Sequence, residues 1–563
     1  MKNTKPTYAF ALIIISAIFS LKSFSQTIGG GSIHGNFEAD AQTYTKDTLI
    51  GAPAVPQKFS MNAFADFDYT SDHFSAGLRF ESYQNALQGY DQRYSGNGIL
   101  YRYLSYKNEG LEVTVGSFYE QFGSGMILRS YQEWGLGFDN AIDGIRVKYS
   151  PLKGITLKGL VGNQREYMTE GKGIVRGFDG EISLNEAIKN WDSKKTKITL
   201  GGSFVSKYQN NQGTPDTVPA NVGSYAGRFN ITRGKFSISG EGAYKINDPD
   251  YVNNFIYKPG DAVLLNIGYS KPGFGLTFAA ERIDNMDYRS DRNATLTDLL
   301  INFLPALNKT HTYSLAAFYP YATQPNGEEG VQAEMFHLFK PKTFLGGKYG
   351  TNVDINFSEN WGIDKQKIND STAIGTTNTD GYKSDFFKVG RQIYFRDINI
   401  EITKKISKTF NFVLTYLNLV YDKDVIQPPG NGTIYSNIII LESFFNITST
   451  KTLRIELQHL STPTGLEDPG AITNKYEKNW AMALAEYSIA PHWFFAASDM
   501  YNYGNDLPVY RLHYFNGSLG FTQNTFRFTL GYGQQRAGIY CVGGVCRNVP
   551  ASNGFKFSIS SSF

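Results

Sequence analysis

The stretch Phe59-Ser60-Met61-Asn62-Ala63-Phe64-Ala65-Asp66-Phe67-Asp68-Tyr69-Thr70-Ser71-Asp72-His73-Phe74-Ser75-Ala76-Gly77-Leu78-Arg79-Phe80-Glu81 has a period of two. Phe59, Met61, Ala63, Ala65, Phe67 and Tyr69 alternate with Ser60, Asn62, Phe64, Asp66 and Asp68. After a tight turn at Ser71-Asp72, Phe74, Ala76, Leu78 and Phe80 alternate with Ser75, Gly77, Arg79 and Glu81. Successive side chains of a strand point to opposite faces. The stretch is therefore a hairpin with one apolar and one charged face.

The same alternation recurs to the end of the chain. Val113 and Val115 flank Thr114, Ile145 and Val147 flank Arg146, and Ile398, Ile400 and Ile402 flank Asn399 and Glu401. Leu453, Ile455 and Leu457 flank Arg454 and Glu456, and Phe526, Phe528 and Leu530 flank Arg527 and Thr529. A soluble sandwich alternates too. Repetition over more than 500 residues, aromatics near strand ends and an export signal favour a membrane barrel, whose strands face lipid on one side and water on the other. The expected fold is all-β, a single transmembrane antiparallel β-barrel over residues 26–563.

Connection lengths order the strands. Short turns such as Lys107–Gly110, Ser150–Gly154, Thr232–Gly234, Ser270–Gly273, Lys340–Lys342 and Ala490–His492 alternate with longer polar stretches. Those lie near 45–57, 123–143, 285–295, 358–391, 463–478 and 538–553. Barrels have short turns on the periplasmic side and longer loops outside. Walking the chain this way gives about 26 strands, within a range of 24–28, if the apolar run Thr297–Leu307 is counted as one. Phe555, Phe557, Ile559 and Phe563 share a face of the last strand, and the chain ends on an aromatic.

Composition agrees. Of 563 residues 15% are aromatic, 57 are Gly and two are Cys, and mean hydropathy is −0.32. Beyond the first 26 or so residues no apolar run is long enough for a membrane helix. Lys+Arg 54 against Asp+Glu 51 leaves no basic excess of the kind that marks a nucleic-acid binder. Lys2 and Lys5, the apolar Tyr8–Leu21, and Ser23-Phe24-Ser25 before Gln26 form a secretory signal, expected to be removed as residues 1–25. With the barrel, it implies the outer membrane of a Gram-negative bacterium, with its lipids and the barrel-assembly machinery as partners.

Candidate chemistry is sparse. Cys541-Val542-Gly543-Gly544-Val545-Cys546 lies in the last long loop, and a disulfide between Cys541 and Cys546 is expected, since Gly-Gly permits the reversal; a redox pair is the alternative. Seven scattered His, with neither Gly-x-Ser-x-Gly nor His-Glu-x-x-His, point to no metal, no cofactor and no catalytic set. The most unusual segment runs from Gly116 to Arg146. Its glycines permit an inward bend, and Glu120, Arg129, Glu133, Asp139, Asp143 and Arg146 are candidates for a charged ladder at a lumen constriction. The plainer reading is paired charges that pack the lumen. Deleting 124–138 tests between them, because a constriction predicts a larger conductance.

The signal ending at Gln26, Gly116–Arg129, Gly137–Gly144 and Gly531–Pro550 resemble an uncharacterised family of Bacteroidota outer-membrane barrel proteins, a domain of unknown function. The resemblance covers nearly the whole mature chain. It implies location and fold, and no activity or catalytic residues.

The expected function is a channel or ligand-binding barrel for solute passage without TonB energy, since strands begin by about Ile33 and leave little room for a preceding plug. The rivals are a barrel subunit of a multi-protein envelope complex and, more remotely, a barrel-embedded enzyme. A ring of this size needs a filling, for which 123–143, 358–391 or a partner protein are the candidates.

Overall fold

The computed structural model describes residues 26–28, 30–210, 218–428, 432–462, 478–542 and 545–563. The expected signal peptide lies outside them. The strands form an antiparallel meander in which each pairs with the next, from Gly31–Thr43 to Ser552–Ser562. The first and last strands then pair with one another, from Asn36↔Ser562 to Gln42↔Lys556, and close the ring. Closure satisfies every strand edge within the sheet. Gln26–Ile28 folds back on the start of the first strand as a short flap.

The closed ring has 24 strands, not about 26. Thr297–Leu307 is not a strand: the whole of 285–327 is one connection between Phe274–Asp284 and Glu328–Phe339, which pair directly at Ile283↔Glu328. Its apolar residues serve a different surface, described below. The 358–391 loop is also corrected. Most of it is strand, because Thr351–Gln366 and Lys383–Lys405 continue past the rim as a long hairpin, leaving 367–382 as the connection. At ~4.8 Å spacing and ~40° tilt, 24 strands enclose a ring roughly 48 Å across.

The alternation read from sequence sorts the two faces. Phe67, Leu104, Val115, Phe178 and Tyr225 are exposed on the outside, whereas Glu81, Asp179, Asp397 and Glu456 are buried inside. Aromatics gather near both rims of the outer face. On the short-turn side, Phe74 packs on Tyr106, Phe236 on Tyr269 and Trp493 on Phe521. Tyr244 and Tyr501 lie eight residues further along the same faces as Phe236 and Trp493. Eight residues span about 26 Å of strand, or about 20 Å of height at that tilt.

Candidate functional site: a bolted lumen with one open arc

The sequence 119–141 leaves the wall after Phe118 and returns at Ile142. Its first part is a miniature hairpin: Gln121 bridges Arg129, the Phe122 amide donates to the Leu128 carbonyl at 3.1 Å, and Gly123–Gly125 form the tip. Phe122, Met126, Ile127 and Leu128 are buried against lumen-facing Leu160, Val175, Val205 and Ala262. Two glycines make the fit. A Cβ on Gly177 of the wall would stand 2.8 Å from the Phe122 ring. A Cβ on Gly123, whose φ is +55°, would stand 2.5 Å from the Glu241 carboxylate, which accepts from the Ser124 amide at 2.7 Å.

The six charges named from sequence do not form one ladder. Glu120 and Arg146 meet at 3.5 Å, Lys158 adds a second cation to Glu120 at 2.8 Å, and Arg146 also binds Glu112. Asp143 instead pairs with Arg102 at 3.0 Å. Glu133 caps the short turn Trp134–Leu136 by accepting from the Gly135 amide. The Arg129 guanidinium lies over the Tyr131 and Phe303 rings at 4.4 and 4.0 Å. Asp139 is sealed in a separate cluster.

That cluster is the bolt. The Arg165 guanidinium donates in parallel to both Glu81 oxygens at 2.7 Å and reaches Asp139 at 2.8 Å. Arg79 binds Asp139 at 3.2 Å and Asp66 at 2.7 Å, and its guanidinium lies over Trp134. The Tyr119 hydroxyl donates to Asp139 at 3.0 Å. Two wall arginines thus hold the buried carboxylate of the insertion, and the wall glutamate Glu81 pairs with one of them, Arg165. Arg79, Glu81 and Arg165 escaped the sequence reading because any lumen-facing charge in a barrel looks alike until its partner is known.

A second insertion, 285–327, is larger. The Tyr288 hydroxyl donates to the Val222 carbonyl at 2.8 Å, Asn360 donates to the Leu307 carbonyl, and His311 meets Asp397 at 2.7 Å. Tyr313 donates to Glu442, and the Leu315 amide to Gln458. Phe318 then packs edge-on against Trp480 at 5.1 Å, and Tyr321 stacks on Phe395 on the way back. All these contacts are on the face opposite the exposed apolar side chains. The two insertions join through the Arg129 amide to the Ile301 carbonyl and the Phe303 amide to the Gly125 carbonyl, at 2.8 and 2.9 Å.

This strap was missed, and a signal for it was present. Its landing patch comprises Leu417, Leu419, Tyr421, Ile438, Ile440 and Trp480, all lumen-facing and buried. In Leu417–Tyr421 and Ile438–Leu441 the alternation fails, because apolar residues occupy both faces. A strand that is apolar on both faces is covered on both, so the lumen there had to be filled by protein.

The hairpin Gly538–Val542/Val545–Val549 rests on the short turns Trp134–Leu136 and Ala316–Phe318, one from each insertion. Arg536 lies over Phe318 at 3.6 Å. Cys541 and Cys546 are opposed in its register; their side chains, and with them the expected disulfide, lie outside the described residues.

At the base of the strap the loop 246–259 holds Asp250, buried near Asp287, Asp248, Lys245 and Lys207. Burial and the Asp287 charge push the Asp250 carboxyl up to about 7. A raised acid contributes stability that is complete below its unfolded value near ~4 and is lost as pH rises through its folded value. Proteolysis of the 246–259 loop is therefore expected to accelerate between pH 6 and 8, relative to an unstructured peptide of the same sequence. Asp250→Asn should flatten that profile.

The insertions cover the wall from Phe59–Thr70 round to Trp480–Ile489. Beyond that arc, the inner faces of the last strands and the first carry small polar side chains. A cavity of about 470 Å³ lies there, lined by Asp40, Gln42, Ser498, Ser518, Thr529 and Lys556 among others. Glu38 lies on the same inward face as Asp40 beside it. A second cavity of about 400 Å³ sits under Gly123–Ser124, beside Arg228, which pairs with Asp179 at 2.8 Å. Among the described residues no group of three or more His, Cys, Asp or Glu is placed to hold a metal ion.

A family model described as a family of unknown function (DUF6029) matches residues 4–563. No curated protein matches the sequence. Among solved structures, the siderophore receptor PirA from Pseudomonas aeruginosa aligns at 8% identity and a TM-score of 0.39, covering 94% of this chain and 80% of that one. OccK5 (OpdH) of the same organism aligns at 9% and 0.31, covering 95% and 98%. A BenF-like porin from Pseudomonas fluorescens Pf-5 aligns at 8% and 0.32, covering 96% and 100%. None of these likenesses is close enough to carry function.

Proposed function

The chain belongs to that family of unknown function, and we propose that it is an outer-membrane channel passing small hydrophilic solutes, without TonB energy, between its bolted insertions and the arc Trp493–Thr43. The observation that carries this reading is the contrast within one lumen. Where the insertions dock, the wall is apolar or charge-paired; where they do not, it is lined by Ser498, Ser518 and Thr529. Small hydroxyl side chains that bind neither plug nor lipid suit a wet passage. Two aromatic belts about 20 Å apart in height, with an apolar outer face between them, support the membrane setting. Both insertions connect neighbouring barrel strands, so passage along the open arc needs no plug to be pulled out. Outer-membrane lipids and the assembly machinery are the partners this reading requires.

The test is single-channel recording in planar bilayers. Ser518→Trp with Thr529→Trp should lower conductance about twofold or more by filling the open arc, and the parent should favour cations because of Glu38 and Asp40. The same protein should be heat-modifiable on detergent gels. A heat-modifiable barrel that never conducts, or conducts equally with both tryptophans, sinks the passage along this arc.

A further inference from the structure

The eleven connections on the short-turn rim, of which 184–195 and 340–350 are the longest, differ in charge from the rest of the chain. Between strands they carry nine lysines and four acids, and the residues directly flanking them add Arg233, Lys271, Lys405 and Lys451 with no acid. The twelve connections on the opposite rim hold 15 basic against 18 acidic residues. A near-neutral chain thus has one strongly basic rim. All nine turn lysines are exposed, and among the described residues none of them forms an ion pair. Their counter-charge must come from outside the protein.

The neighbours of these lysines identify the source. Six of the eleven turns are followed at once by an aromatic, Phe74, Phe236, Phe274, Phe410, Trp493 and Phe526, and two of these turns carry Lys235 and Lys408. The lysines therefore stand just beyond an aromatic belt, at the height where headgroups lie if the barrel spans a bilayer. Apolar tips project among them: Phe344, 99% exposed, with Leu345 between Lys342 and Lys348, and Leu152 beside Lys153. The basic turns follow one another from 150–154 round to 406–409, more of the circumference than one docked domain covers.

We infer that this rim binds the anionic phospholipid headgroups of its own leaflet, the lysines pairing with phosphates while Phe344 and its fellows enter the interface; this rests on the membrane reading above. Each lysine near an anionic surface contributes about 1 kcal/mol, so the effect of several is large.

The full-length barrel, extracted in detergent, is reconstituted into phosphatidylcholine vesicles with and without ~30% phosphatidylglycerol, re-extracted mildly, and its retained lipid measured by mass spectrometry. The parent should retain phosphatidylglycerol about tenfold above its bulk share, and less in high salt. The variant K189Q/K194Q/K195Q/K340Q/K342Q/K348Q should insert normally and lose most of that enrichment, while K46Q/K58Q/K367Q on the opposite rim keeps it. Equal retention of both lipids by parent and variant overturns the proposal and leaves an acidic protein partner as the use of the lysines. Failure to insert into either vesicle overturns it through its premise.

Discussion

Arg165→Met is expected to unbolt the 119–141 insertion while leaving the barrel closed. The substitution leaves Glu81, fully buried, without its bidentate partner and removes one of the two arginines on Asp139. Breaking one side of a buried pair costs about 3–5 kcal/mol, because the remaining charge has neither water nor a counter-ion. Hydrogen exchange should rise through 119–141 while the strand amides stay protected, and single-channel conductance should increase and become noisy. The triple variant Glu81→Gln, Asp139→Asn, Arg165→Met, which removes the charges together, should recover much of the protection. If Arg165→Met exchanges and conducts like the parent, this cluster is packing without consequence for the passage.

Excising the strap should have the larger effect on transport. Ile283 and Glu328 are register partners, so a four-residue turn in place of 286–325 can join their strands without disturbing the ring. The result should be a heat-modifiable barrel with conductance several-fold above the parent, and cells sensitised to bulky antibiotics. Stability should fall, since the deletion exposes Leu417, Leu419, Ile438, Ile440 and Trp480 to water. Burying one such side chain contributes about 1.5–3 kcal/mol. A set of Leu→Ser and Ile→Ser changes at those positions in the strapless barrel should restore expression. An excised barrel that inserts and conducts no more than the parent shows that the strap does not limit flow.

The barrel itself was legible in the sequence, because its signals are local. A strand with one face in lipid shows period two over ten residues, and a short turn announces itself by Gly, Pro and Asn. The tight turns at 71–73, 109–110, 150–154, 272–273 and 490–492 all fall where those signals place them. The contact between Glu120 and Arg146 was near reach for the same reason: both flank a single excursion from the wall. The lysine-rich turns were likewise present in the letters.

What fills the lumen was decided only by tertiary structure. Thr297–Leu307 reads like a strand because it is apolar, but an apolar run shows that a segment is buried, not against what. Its partners come from wall strands as far apart in sequence as Val205 and Asn360. The part of Lys383–Lys405 up to 391 reads as loop because a strand that runs past the rim no longer needs an apolar face, so Asp385, Lys388 and Arg391 hide its continuation. Arg79, Glu81, Asp139 and Arg165 become one cluster only when the ring brings two strands and one insertion together. Pairing at long sequence separation leaves no periodic trace. A charge in a wet lumen and a charge locked in a buried bolt occupy the same position in the alternation, and only closure of the ring and the path of the insertions distinguish them.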